Sequence, residues 1–501
     1  SWEALGSWEF GAAYLSSLLA ASPSSVRAAA ATYLTLDRSA LVTVRGSDMP
    51  ALAADLPQVR TLLDERRASE SIRREAAPIE SPGLVARGLR PERIVHDVSV
   101  FETPGGVPVL VRRKHGAPMA HVQALFLGGV SEESAMNAGL TTLLARTAVQ
   151  GTAHRDGPQM AEDIESLGGA ISSVVGAEAF GWTVSVPTAW FVPALTLLAE
   201  VVEEPAFAAA ALETERAIAL AGLEQLRDDM SRQPVRLALA SAFGDDPYGR
   251  PTLGTEAGLR GCVPAALSAV HERIVRRGRG AIVVVADAPA DEVAAAVRSA
   301  FRGLSYSPRG SVATLPWPTE SRESLEMRDK AQTALSVLFP GPMRSDPERR
   351  AAALLAAVAS GLGGRLFQVL RDQESLAYSV QLGTRSLPRA GWLAAYLACA
   401  PSKERAARAG LMRECRRLAE EPVSADELAR AKAYMLGSLA IRQQSAASIL
   451  GDIAEAWLFG TLEELVEEAR AIAALTAEDL LAVARESFGA AGAVWGVVRG
   501  R

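Results

Sequence analysis

Side chains able to bind a metal or attack a carbonyl are few in this chain, and they are scattered. The five histidines, His96, His115, His121, His154 and His271, include no pair at positions i and i+4. That spacing is what places two imidazoles one helical turn apart around a shared zinc. His115 and His121 bracket Gly116-Ala117-Pro118, a stretch that reads as a hairpin bend and gives both rings solvent-facing or strand roles. Cys262, Cys399 and Cys415 are odd in number and far apart, so they fit neither a disulfide framework nor a C-x-x-C pair. No G-x-S-x-G elbow occurs. Gly361-Leu362-Gly363-Gly364 lacks G-x-G-x-x-G spacing and a preceding nucleotide-type strand, which leaves a helix-to-helix turn where glycine supplies positive φ. Glu213, Glu215 and Glu224 read as a solvated helix face, or else as carboxylates lining a chamber. Taken alone, Arg371 and Tyr378, seven residues apart, are an arginine in a surface salt bridge and a tyrosine in a sheet.

Composition narrows the classes further. A chain of 501 residues holds roughly two to four domains. With 49% hydrophobic and 22% charged residues it is globular. A net charge of −6 provides no global basic field for nucleic acid or an anionic membrane. Only four of the 52 basic residues are lysines, a bias that fits a GC-rich bacterial genome better than phosphate recognition. No uninterrupted apolar run of about 18 residues predicts a membrane-spanning helix. Ser1-Trp2-Glu3-Ala4-Leu5 does not open a signal peptide, and the missing initiator Met suggests a processed or truncated product.

The elements that must position any site show an internal repeat. Residues 18–46 (LLAASPSSVRAAAATYLTLDRSALVTVRG) align without a gap to residues 472–500 (IAALTAEDLLAVARESFGAAGAVWGVVRG). Each copy has a capping residue (Ser22, Thr476), an amphipathic helix and an apolar strand ending in Val-Arg-Gly. Residues 1–48 therefore read as the tail of a preceding, mostly absent copy, one that should dock into another polypeptide. Residues 49–95 read as a charged, proline-punctuated linker.

Strands are expected across 98–111, 121–127, 170–186 and 280–286, with helices at 137–150, 157–167, 190–203, 209–229, 265–275 and 290–301. The residues between the helices at 209–229 and 265–275 read as a loop. From about residue 325 the order recurs, with strands at 334–339, 378–384 and 391–398, helices at 347–359 and 366–373, and long helices before the last strand. Mixed strands and helices in two units (96–315 and 316–501) predict an α+β fold, each domain a mixed sheet with helices on one face.

Asp246-Pro247-Tyr248-Gly249-Arg250-Pro251-Thr252-Leu253-Gly254-Thr255 resembles a signature of the M16 peptidases, the insulinase, pitrilysin and mitochondrial processing peptidase family. Residues 139–152 (GLTTLLARTAVQGT), 167–170 (LGGA) and 363–380 (GGRLFQVLRDQESLAYSV) agree. The resemblance implies two homologous processing-peptidase-like domains forming one half of a clamshell that closes around a peptide. An active half carries H-x-x-E-H on the helix matching 139–152, with a third zinc ligand, a glutamate, on a later helix. Here those positions are Thr142, Ala145, Arg146 and, for the later glutamate, Gly222. Three vacant ligand positions and a repelling Arg146 imply no metal and no catalytic residue in this chain.

What the resemblance retains is a substrate contact. Arg371 and Tyr378 match an Arg/Tyr pair supplied by the half opposite the zinc, with Gly361, Gly363 and Gly364 as a flexible loop beside the peptide. Arginine donates a forked set of hydrogen bonds to carbonyls, and a tyrosine hydroxyl can stabilise a developing oxyanion. The strand after Gly168-Gly169 matches one that pairs with substrate in catalytic halves, and here it reads as a structural edge. The implied function is the non-catalytic, substrate-presenting half of a bacterial zinc metallopeptidase acting on small or unfolded polypeptides. It would form a heterodimer with a zinc-bearing H-x-x-E-H half, contact a peptide, and touch neither nucleic acid nor membrane. The alternative is a structural or peptide-binding scaffold like the core subunits of respiratory complexes. Exported relatives tilt the expected compartment toward the periplasm over the cytoplasm.

Overall fold

The computed structural model describes residues 7–61, apart from 8, 36, 37, 41, 43–49, 51, 52, 54 and 56. It also describes residues 81–501, apart from 86, 87, 117, 309, 311, 312, 362, 490 and 491. The chain divides into two units, Ser1–Pro78 and Ile79–Arg501.

The first unit contains α1 (Phe10–Leu19) and α2 (Pro23–Tyr33). Helix α2 begins at the expected cap, where Ser22 and Ser25 satisfy each other's backbone N–H groups and Pro23 takes an early helical position. Most of the strand that the repeat predicts after α2, and linker residues 62–80, lie outside the described residues.

The second unit holds two sheets. The first is built from β1 (Arg93–Val95), β2 (Val98–Glu102), β3 (Pro108–Arg113), β4 (Met119–Leu127), β5 (Ala170–Val175), β6 (Ala179–Pro187) and β7 (Gly280–Ala286). Its helices are α3 (Leu140–Ala148), α4 (Gly157–Ser166), α5 (Phe191–Glu203), α6 (Ala209–Asp228), α7 (Gln233–Phe243), α8 (Glu256–Gly261), α9 (Pro264–Val270) and α10 (Ala290–Ala300). The second sheet contains β8 (Arg322–Met327), β9 (Thr333–Gly341), β10 (Ser379–Ser386), β11 (Gly391–Cys399) and β12 (Val494–Arg499). It is accompanied by α11 (Arg349–Ala359), α12 (Glu404–Glu420), α13 (Ala425–Arg442), α14 (Ala446–Phe459), α15 (Glu464–Ala474) and α16 (Ala477–Gly489).

The two sheets share one topology. The first runs β1-β2-β3-β7-β4-β6-β5 and the second β10-β11-β9-β12-β8. In each, the last strand in the chain lies parallel to an earlier six-residue strand on one side and antiparallel to a nine-residue strand on the other: β7 between β3 and β4, β12 between β8 and β9. Read from the β5 and β10 edges, the orders match strand for strand, with β2 and β1 added to the first sheet. The strands around Gly116–Pro118 are therefore not a hairpin. β7 inserts between β3 and β4, so the bend crosses over its end.

Every residue of β7 (Gly280-Ala281-Ile282-Val283-Val284-Val285-Ala286) is buried, which requires cover on both faces of its sheet. One face carries the domain's own helices, with Phe126, Trp182, Leu198 and Val297 in the core. The other face takes α14 from the second domain, whose Ile449, Leu450 and Ile453 meet Leu125, Val283 and Val285. Reciprocally, α7, expected to be loop, leaves the first domain and lies on the second sheet, with Ala238 and Ala242 near Leu338 and Val494. The close approach needs Gly496, because a Cβ there would lie 1.9 Å from the carbonyl oxygen of Pro234. The expected single helical face is thus joined by one exchanged helix on the opposite face of each sheet. Among the described residues, no helix is long and apolar enough to cross a membrane.

Candidate functional site

Helix α3 carries three of the positions assigned to lost zinc chemistry. Its N-terminus is capped from a distance: the Glu133 carboxylate accepts the N–H groups of Gly139 at 2.8 Å and Thr141 at 2.7 Å. Burial pushes the Glu133 carboxyl above its usual range, while those N–H groups and Arg250 pull it back. The Thr142 hydroxyl donates to the carbonyl of Thr252 at 2.6 Å. Ala145 is fully buried, and its carbonyl accepts the indole N–H of Trp182 at 2.8 Å. Gly222, on α6, faces Leu253, whose nearest atom would be 3.4 Å from an added Cβ.

Two of the four positions therefore meet consecutive residues of one loop, which lies where α3 and α6 face each other. The four side chains offer one hydroxyl, already engaged, and a cation. That donor set does not fit zinc. Among the described residues, no group of three or more His, Cys, Asp or Glu side chains is placed to hold a metal ion.

Other titratable groups are engaged in local contacts. His271 is buried, hydrogen-bonds the Val202 carbonyl through Nε2 at 2.7 Å, and has its basicity lowered by burial. His121 shares a 2.7 Å hydrogen bond with Ser185, and His154 one of 2.6 Å with Glu204. All three cysteines are buried free thiols, and burial pushes Cys399 up to about 11 and Cys415 to about 12, away from thiolate chemistry. Glu215 corrects the reading of a solvated face. It is buried on α6 and accepts from the side-chain amide of Gln150 at 2.8 Å, whereas Glu213 and Glu224 pair with Arg216 and Arg227 toward solvent.

Arg371 and Tyr378 lie on the segment that joins α11 to β10. Arg371 belongs to a π-helical turn, Phe367–Gln373, and its guanidinium stacks 4.4 Å from the centre of the Phe367 ring. Arg371 is exposed as a residue. A left-handed Ser375 ends the turn, with its carbonyl held by Lys403 Nζ at 2.7 Å. Tyr378 is 58% exposed, and its backbone N–H donates to the Ala398 carbonyl at 2.8 Å, adding a rung beside β10 and β11. Among the described residues, β10 pairs only with β11, and β5 only with β6, so each forms one edge of its sheet.

The glycine segment is a tight turn. Gly361 has φ +83°, and a Cβ on Gly364 would lie 2.3 Å from the Ser360 carbonyl. Arg430 donates to the Gly363 carbonyl at 3.1 Å; Leu362 lies outside the described residues. The adjacent Arg365 grips Glu427 with two bonds, 2.5 and 2.8 Å, tying the turn to the start of α13.

Two models of one family match the chain in succession. Insulinase (Peptidase family M16) covers residues 108–256, and the Peptidase M16 inactive domain covers residues 263–435. The chain belongs to the M16 family. An uncharacterized zinc protease of Mycobacterium tuberculosis is 27% identical over 418 residues, covering 81% of this chain and 93% of that protein. A non-peptidase homolog of Helicobacter pylori is 24% identical over 349 residues, covering 69% of this chain and 80% of its own length. The crystal structure of a peptidase M16 inactive domain from Pseudomonas fluorescens superposes with TM-score 0.74 at 22% identity, over 81% of this chain and 98% of that one.

Within this M16 chain, the 246–255 motif also does structural work that sequence reasoning missed. Tyr248 donates its hydroxyl to Glu178 at 2.5 Å and accepts the backbone N–H of Arg389 at 3.3 Å. The Arg389 guanidinium grips Asp246 at 2.7 and 3.2 Å. The motif therefore clasps one domain to the other. Nothing in the sequence around Arg389 signals its part in this.

Proposed function

We propose that this chain is the non-catalytic, substrate-presenting half of an M16 zinc metallopeptidase that hydrolyses small or unfolded polypeptides. The observation that carries the reading is a contrast within one fold. The positions assigned to zinc hold no ligating set and are closed by packing, whereas Arg371 and Tyr378 are exposed on a braced segment. Zinc and its general base would come from the H-x-x-E-H helix of a partner half. Arg371 donates its fork to backbone carbonyls of the bound peptide, and the hydroxyl of Tyr378 donates to the carbonyl oxygen beside the scissile bond.

Native mass spectrometry with zinc measured on the same particle tests the pairing: two halves and one zinc are expected. In that complex, Arg371→Ala or Tyr378→Phe should lower kcat/KM on an unfolded polypeptide about 100-fold, the usual effect of deleting one such donor. The Helicobacter pylori non-peptidase relative favours a second reading, a peptide-binding or structural scaffold. Equal activity of the zinc-bearing half with and without this chain, or indifference to both substitutions, establishes that second reading and overturns the first.

A further inference from the structure

A cavity of about 580 Å³ opens between the two domains, where the β5–β6 and β10–β11 turns approach α14. It lies at the end of β10 away from Tyr378, roughly 23 Å along the strand at about 3.3 Å per residue. Two independent features distinguish it from a packing gap. Gln123 sits mid-strand in β4, on the face where Leu125 and Leu127 meet α14. The residue is 8% exposed, lines the cavity, and its side-chain oxygen has no hydrogen-bond partner. A buried, unmatched amide oxygen is a cost that leucine there would avoid.

The second feature is a set of four guanidinium groups lining the cavity, Arg344, Arg349, Arg385 and Arg442, beside the carboxylates of Glu178 and Glu455, with Arg442 paired to Asp452. Arg344, 8% exposed, and Arg349 both lean on Glu464, at 2.6 and 3.0 Å. The Nε of Arg344 finds no hydrogen-bond acceptor; the nearest carboxylate oxygen, on Glu455, is 3.7 Å away. Arg385 stands at the rim, exposed and in no ion pair with the described residues. Leu125, Leu458 and Phe459 supply apolar wall.

We propose that this interdomain cavity binds a short peptide by its free C-terminal carboxylate. The carboxylate takes the open guanidinium donors, an amide N–H is donated to Gln123 Oε1, and an apolar side chain lies against Leu125 and Leu458. A dipeptide or tripeptide fits the volume and offers both the charge and the donor that these groups lack. The inference stands apart from the proposed peptidase role, because it uses neither Arg371 nor Tyr378.

Isothermal titration of the purified full chain tests it with three probes: N-acetyl-Ala-Leu, the same peptide as its C-terminal amide, and inorganic phosphate. The free acid should bind saturably, the amide at least tenfold more weakly, and phosphate should not compete at equal concentration. Gln123→Leu should weaken the free acid at least tenfold while raising the melting temperature, since an unmatched amide is removed. Arg385→Gln should weaken it about tenfold with the melting temperature unchanged, and keeps the test decisive if Gln123→Leu fails to fold. No binding of the free acid, equal binding of acid and amide, or undiminished binding by either folded variant overturns the proposal. Phosphate binding in place of the peptide also overturns it, leaving a simple anion site.

Discussion

Replacing Glu427 with Gln isolates the contact that braces the glycine turn ahead of Arg371. The Glu427 carboxylate accepts two bonds from Arg365 and two more, from the backbone N–H and hydroxyl of Ser424, at 2.8 Å each. Chiefly because of Arg365, its carboxyl falls from the ordinary 4.5 to about 2. At about 1.36 kcal/mol per pH unit that depression has a ceiling of about 3.4 kcal/mol. The paired side chains remain 12% and 17% exposed, and screening by water brings the expected effect down to about 1.5–2 kcal/mol. A depressed carboxyl stabilises the fold above its unfolded value and loses that contribution as pH falls through the folded one. Glu427→Gln should therefore unfold about 1.5–2 kcal/mol more easily in urea at pH 7. Less than half of the deficit should survive at pH 3. An equal deficit at both pH values refutes the charge argument and assigns the effect to lost helix capping.

Tyr248→Phe should cost about 1.5–3 kcal/mol, since it strips a buried hydrogen bond to a carboxylate from the interdomain clasp, and the urea midpoint should fall with an unchanged slope. Burial holds His271 below its ordinary value, so on acidification the unfolded chain takes up a proton that the folded chain refuses. Stability should fall as pH drops below 6.5. His271→Gln should flatten that slope in urea titrations at pH 7 and pH 5.5. Reinstating the motif with Thr142→His, Ala145→Glu, Arg146→His and Gly222→Glu should yield a destabilised chain with substoichiometric zinc by elemental analysis. A glutamate at the fully buried Ala145 meets packed core.

Local periodicity made most elements legible. Helices at 140–148 and 157–166 and the strand at 280–286 lie where the apolar spacing puts them, because each carries its own pattern. Helix α7 was not legible, because its apolar face matches a sheet made by residues nearly a hundred positions or more downstream. The Gly116–Pro118 bend misled for the same reason: the partner of β3 on that side is β7, and no local signal announces a strand that distant. Glu215 looked solvated because its partner, Gln150, sits far away in sequence, in the turn after α3. Chemistry was legible in an unequal way. Arg371 and Tyr378 are ordinary as single residues and stand out only through resemblance, and Gln123 hides inside an apolar strand pattern.

The exchanged helices explain how the architecture holds with no ligating set on α3. Without α14, β7 would expose Val283 and Val285, and without α7, β12 and β9 would expose Val494 and Leu338. Neither domain completes its own core, so the two must fold as one body. The contacts of α3 that serve this body are Leu143, Leu144 and the Ala145 carbonyl that holds Trp182, together with the Glu133 cap on its N-terminus. None of these requires a histidine or a glutamate at the positions assigned to zinc. The fold therefore needs no ligating side chain at the positions assigned to zinc, whereas Arg371 and Tyr378 stay presented because the Gly361 turn, the Arg365–Glu427 pair and the Ser375 carbonyl brace the segment that carries them.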